Sequence, residues 1–447
     1  MRLWIKNPLA ILTDRAGGGI VIENSAIVEL IPTGKQPGKP VDQVFDASEH
    51  VVLPGLINTH HHFYQTLTRA HPDAINKELF PWLKALYPLW ARLTPEAHRL
   101  ATRLALVELM MSGGTCASDH HYLFPVGLEN AMDIQVEEAL NLGMRLTVTR
   151  GSMNLSEKDG GLPPDSVVQD TDEILNDCER VIKAYHDNTA GAQIQVALAP
   201  CSPFSVTREL MKGCADLAKS NSCRLHTHLA ETHDEDAFCQ ELFGLRPLDY
   251  LEDVGWLHDN TWLAHGIHFA DDEVQRLGRA GVAVCHCPTS NMVLSSGHCR
   301  THELEAAGSP VGLGVDGSAS NDSSNMMEAI RHALMINRLT YPGAKTTHLD
   351  AIRWATEGSA RCLGRHEIGK IAVGMQADLA MYKLDELRFS GAGDPIAALV
   401  LCGAHTADRV MIAGKWRIED ANPVGVDVAQ LRYDHGQAAK VFLNEIG

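Results

Sequence analysis

Short apolar runs ending in polar residues recur through the middle of this chain. Gln193–Leu198, Arg224–Leu229, Thr261–Ala264, Val282–Cys285 and Val311–Gly314 are strand-like and rich in Val, Leu and Ala. Between them, Thr207–Lys219, Asp271–Ala280 and Met326–Arg338 carry apolar positions three and four apart, the helical period. Strand and helix in alternation over roughly 300 residues predict parallel β/α units. Eight such units close into a barrel whose chemistry sits at the C-terminal ends of the strands. An open doubly wound sheet is the alternative, but no Gly-x-Gly-x-x-Gly follows the first strand.

Both ends have a different texture. Arg2–Ile5, Gly19–Glu23 and Ala26–Ile31 read as short strands between Gly, Pro and Asp, and Asp378–Tyr382, Ala397–Cys402 and Arg409–Ile412 repeat the pattern. The two ends are expected to build one small β domain together, residues 1–53 with 366–447, around a barrel at 54–365.

Composition narrows the partners. The 447 residues are 45% hydrophobic and 21% charged, as in an ordinary globular protein. A formal charge of -18 disfavours nucleic acid or an anionic membrane as the main partner. Eleven scattered cysteines suit reduced thiols in the cytoplasm better than a disulfide scaffold. The polar N-terminus does not read as a signal sequence, and no apolar run reaches the ~18 residues of a membrane span.

The chemistry is at the predicted strand ends. Val51–Ile57 leads into His60-His61-His62, where alternation turns His60 and His62 to one side and His61 away. Two imidazoles meeting at a strand end suit zinc or iron. Later strands end in His226-Thr227-His228 with Glu231, in His265, in His286 and in Asp316. Taken singly, each has a structural reading. His226 could pack inside the barrel below the site, His265 could be a buried structural His, and Asp316-Gly317 could begin a turn. Cys285 and Cys287 are expected to be core residues facing the helix layer.

His60-x-His62, His228-x-x-Glu231, His265 and Asp316 resemble the amidohydrolase superfamily, in its cytosine and guanine deaminase branch. The likeness extends to Pro54-Gly55-Leu56-Ile57-Asn58-Thr59, His286-Cys287-Pro288-x-Ser290-Asn291 and Gly369-Lys370-Ile371-x-x-Gly374-x-x-Ala377-Asp378-Leu379. It implies a (β/α)8 barrel with a β-sandwich made from both termini. It also implies one divalent metal, zinc or iron, on His60, His62, His228 and Asp316. Binuclear relatives bridge two ions with a modified Lys after the fourth strand; here that strand ends Ala199-Pro200-Cys201-Ser202 and offers none. A metal-activated water would attack, with Asp316 accepting its proton, Glu231 shuttling protons and His265 steadying the adduct.

The substrate implied is a free aminopurine base. Relatives acting on nucleosides carry a His after the fourth strand and a carboxylate in the early loop. This chain has Cys201 and the carboxylate-free Leu79–Lys84 instead. Gln65 could read a purine edge and Arg150 a carbonyl oxygen; either could equally be structural. The stretches 58–69, 149–155 and 160–165 are most similar to members that deaminate 8-oxoguanine, a group close to the hydroxyatrazine hydrolases. Guanine or an aminotriazine as substrate, and a catalytically dead scaffold, are the alternatives. The resemblance also implies a homodimer or higher homo-oligomer.

Overall fold

The computed structural model describes residues 1–444. Eight parallel strands form one sheet in strict sequence order: β1 (Leu56–Asn58), β2 (Gly114–His121), β3 (Arg145–Ser152), β4 (Ile194–Pro200), β5 (Arg224–Leu229), β6 (Thr261–His265), β7 (Ala283–His286) and β8 (Val311–Leu313). The ring closes just past the first and last strands, where Thr59 N–H donates to Leu313 C=O at 3.1 Å and Asp316 N–H to His60 C=O at 3.0 Å. Helices pack outside, and the expected strand at Arg224–Leu229 and helix at Asp271–Ala280 fall on those residues.

Below the site the barrel interior is filled by thiols and alanines around Trp262, which stacks on the His226 ring. Cys285 pairs in register with Ala264, which pairs with His228, so all three face inward. Cys285 and Cys287 join Cys116, Ala197 and Trp262 in one buried cluster beneath the histidines. This corrects their expected direction: they are core residues, but of the barrel lumen. His286, between them, faces the helices.

Both chain ends build the second layer. A six-stranded sheet pairs His50–Pro54 antiparallel with Leu379–Lys383, and a four-stranded sheet lies over it. Leu3, Ile5, Ile20 and Ile22 pack there on Val52, Leu379 and Met381, as period-2 alternation requires. Gly55 carries the chain from this sheet into β1. A Cβ at Gly55 would lie 2.2 Å from Thr115 Oγ1, so the crossing needs glycine.

Two terminal expectations change. Ala397–Cys402 is helical, not a strand, because Asp394 accepts the N–H groups of Ile396 and Ala397 and Pro395 starts the turn. The final helix, Val428–Asn444, leaves the β layer and packs on the barrel helix Pro95–Met111 and the turn Phe63–Thr68.

One buried ion pair ties the layers together. Arg145, at the start of β3, gives Nε to Asp378 Oδ2 at 2.6 Å and Nη2 to Oδ1 at 3.1 Å, with both side chains almost fully enclosed. Removing one partner strands the other charge. Asp378→Ala is therefore expected to cost about 3–5 kcal/mol. Denaturant melts read by circular dichroism check this, and an unchanged midpoint would remove the pair from the stabilising contacts.

Candidate metal centre

The strand ends deliver their side chains to one buried point. His60 and His62 follow β1, His228 ends the inward row of β5, His265 closes β6 and Asp316 follows β8. Ligand atoms of His60, His62 and His228 lie within 4.8 Å of one another, as do those of His60, His265 and Asp316. Asp316 Oδ1 stands 3.2 Å from His60 Nε2 and 3.3 Å from His62 Nε2. His228 Nε2 is 3.3 Å from His62 Nε2.

The outer nitrogens fix which atom each ring presents. His62 Nδ1 donates to the His120 carbonyl and His228 Nδ1 to the Cys201 carbonyl, both at 2.7 Å. His226 Nδ1 donates to the Trp262 carbonyl at 2.9 Å, which leaves its Nε2 to accept from His60 Nδ1 at 2.8 Å. All three Nε2 atoms therefore point bare lone pairs inward, and His60 Nε2 is buried with no hydrogen-bond partner. Burial holds the pKa of His60 and of His228 well below the usual imidazole range, so these rings favour the neutral, metal-binding form. Converging lone pairs beside a carboxylate need a cation. Three imidazoles and one carboxylate suit a single divalent ion of the zinc class. His61 bonds Ser324 Oγ at 2.8 Å and stays out of the cluster, as alternation requires.

The remaining acid–base groups face the same point. His265 Nδ1 is held by Asn291 Oδ1 at 2.9 Å, leaving Nε2 3.4 Å from Glu231 Oε2 and 3.8 Å from Asp316 Oδ2. Burial raises the Glu231 pKa above the ordinary carboxyl value. Burial opposes charge on His265, but the carboxylates of Glu231 and Asp316 still hold its pKa above the usual value. His265, Asp316 and Ala230 all sit at left-handed φ (69°, 65° and 55°), rare for residues bearing a side chain and concentrated here at the strand exits.

Gln65 and Cys201 line the cavity above this point with Trp82, Tyr122 and Phe204. Gln65 Oε1 lies where a Cβ at Gly317 would come within 1.9 Å, so Gly317 is what admits it. Arg150 is elsewhere. Its guanidinium is bound to Asp177, Gln169 and the Gly151 carbonyl and stacks 3.7 Å from the centre of Phe124. The outward face of β3 takes Arg150 away from the cavity, and the expectation that it grips a substrate carbonyl is corrected to a structural role. Sequence reading noted Asn291 only within the family-like segment, without its hold on His265, and missed His120 and Asp119, whose carboxylate accepts Phe63 N–H at 2.6 Å. The Ser118-Asp119-His120-His121 strand end was the available signal for both.

Comparison with known proteins agrees with this geometry. The amidohydrolase family model matches residues 51–417. The chain is 59% identical to an 8-oxoguanine deaminase of Pseudomonas aeruginosa over 99% of both chains. It is 34% identical to a hydroxydechloroatrazine ethylaminohydrolase of Pseudomonas sp. strain ADP, over 90% of this chain and 86% of the other. The zinc complex of an Arthrobacter aurescens atrazine chlorohydrolase superposes with a TM-score of 0.92 at 29% identity, covering 98% of this chain and all of that one. The fold, the cluster of imidazole and carboxylate ligands and the family match lead to one conclusion: the chain belongs to the amidohydrolase family, with one divalent metal ion as its cofactor.

Proposed function

We propose that the chain is a metal-dependent deaminase of a free aminopurine base, converting 8-oxoguanine and water to urate and ammonia. The observation that carries this reading is the 59% identity to the Pseudomonas aeruginosa enzyme over 99% of both chains. The cavity agrees, since Trp82, Tyr122 and Phe204 offer flat apolar surface and Gln65 an amide. The helix Leu79–Trp90 supplies Leu79, Trp82, Leu83 and Tyr87 to the cavity wall, so the substrate would meet a largely apolar roof.

His60, His62, His228 and Asp316 hold the ion in this reading. When bound, it supplies a Lewis acid that makes water nucleophilic at neutral pH. Asp316 turns Oδ1 to the histidines and Oδ2 toward His265, so Oδ2 is free to accept a proton from that water. Glu231 delivers a proton to the ring nitrogen beside the attacked carbon. His265, oriented by Asn291, steadies the oxygen as the bond to the exocyclic nitrogen breaks. With all eleven cysteines free, the enzyme suits a reducing compartment. No described helix is long and apolar enough to cross a membrane.

Offered 8-oxoguanine, guanine and hydroxyatrazine separately, zinc-loaded protein is expected to show its highest kcat/KM on 8-oxoguanine. Ammonia release and loss of base absorbance read the first two, and amine release reads the third. Good turnover of the triazine with none of 8-oxoguanine would overturn the substrate assignment.

A further inference from the structure

Glu235 is a buried carboxylate that the chemistry above leaves unused. It lies in the first turn of the helix His233–Phe243, fully enclosed and four residues past Glu231. Its Oε1 accepts the N–H of Ala230 and its Oε2 the N–H of Glu231, both at 2.9 Å. In an ordinary capping box the third helical residue reaches back to the N–H of the cap. Here the cap is Thr232, and the carboxylate reaches past it to the two residues before.

Those two residues need holding. Ala230 sits at φ 55°, a conformation its Cβ disfavours. Its carbonyl accepts from the N–H groups of Ile267 and His268, both at 2.9 Å. The Ala230 backbone is thus gripped on its carbonyl side by the loop after His265 and on its N–H side by Glu235. Glu231 is gripped through its own N–H. Its carboxyl makes only long contacts, 3.4 Å to His265 Nε2 and 3.4 Å to Ser296 Oγ. The backbone clamp is therefore the firmer constraint on where that carboxyl stands.

We propose that Glu235 is a positioning residue for catalysis, its two carboxylate oxygens clamping the Ala230–Glu231 backbone so that the Glu231 carboxyl stays in line with the water and the leaving group. This rests on Glu231 being the proton carrier. A carboxyl displaced by about 1 Å can cost ~10²-fold in rate. Glu235→Gln keeps the shape but turns an NH2 toward one of the two N–H donors. Its kcat is expected to fall about 10- to 100-fold, with KM within about threefold and metal content unchanged.

A double-mutant cycle separates positioning from capping. If Glu235 acts through Glu231, adding Glu235→Gln to Glu231→Gln lowers the residual kcat by less than about twofold. The same 10- to 100-fold loss in both backgrounds, or a loss confined to thermal stability, would overturn the clamp. Near-normal activity of Glu231→Gln alone would instead overturn the proton-carrier assignment. Should Glu235→Gln not accumulate as folded protein, Glu235→Asp keeps the charge one methylene short. It is expected to lose kcat and keep KM, and full kcat in that variant would sink the proposal.

Discussion

Glu231→Gln is expected to lower kcat by about 10²- to 10⁴-fold while the protein still binds one metal ion per chain. The substitution is isosteric, so packing beside Ser296 and His265 is retained, but an amide can neither deliver nor collect a proton. Glu231 is only 3% exposed, and burial raises its pKa above the ordinary carboxyl value, which makes the protonated form easier to reach beside the ionised one. A group that must give and take a proton in one cycle needs both. Its carboxyl lies 3.4 Å from His265 Nε2 and is not drawn into the ligand cluster, so metal occupancy should not depend on it. Steady-state ammonia release paired with metal analysis checks the two halves together. Activity within about threefold of the parent would exclude Glu231 as the proton carrier.

The convergence of imidazoles and carboxylate on one point could be read from sequence because strand geometry is local. His60 and His62 share a side two residues apart, and His228, His265 and Asp316 each stand where an apolar run stops. Alternation alone removed His61, and its bond to Ser324 accounts for where it went instead. What failed depended on closure through space. Nothing near Arg150 in sequence signals that Asp177, Gln169 and Phe124 would enclose its guanidinium. Cys285 faces the lumen because it registers with Ala264 and His228, a pairing across three strands. Glu235 and Asn291 are legible as an acid in a helix and an amide after a Pro; their targets, 4 and 26 residues back, become apparent only once the loops are built. Ala397–Cys402 failed for another reason. An apolar run of that length carries no period of its own, and the Asp394 cap with Pro395 decides it.

Removing the metal is expected to abolish turnover, and adding back zinc to restore it, because the four proposed ligands are oriented for a cation. The Nδ1 atoms of His60, His62 and His228 are committed to His226 and to the His120 and Cys201 carbonyls. The Nε2 lone pairs therefore cannot turn away without breaking a buried hydrogen bond at each ring. Metal-free protein keeps that convergence uncompensated and should melt at a lower temperature. An ion that binds only the folded chain adds about 4 kcal/mol at 1,000 times its Kd. The loss should be graded along the network. Asp316→Asn removes the carboxylate charge from the site and should leave zinc largely unbound at micromolar concentration. His226→Ala leaves the four proposed ligands in place but removes the acceptor behind His60, together with a donor to the Trp262 carbonyl, and should weaken zinc by about 10- to 100-fold. Competition against a chelating dye, with melting temperature recorded on the same samples, measures both variants. Full activity in exhaustively chelated protein would rule out the ion as the source of the nucleophile, whatever the geometry of the four ligands.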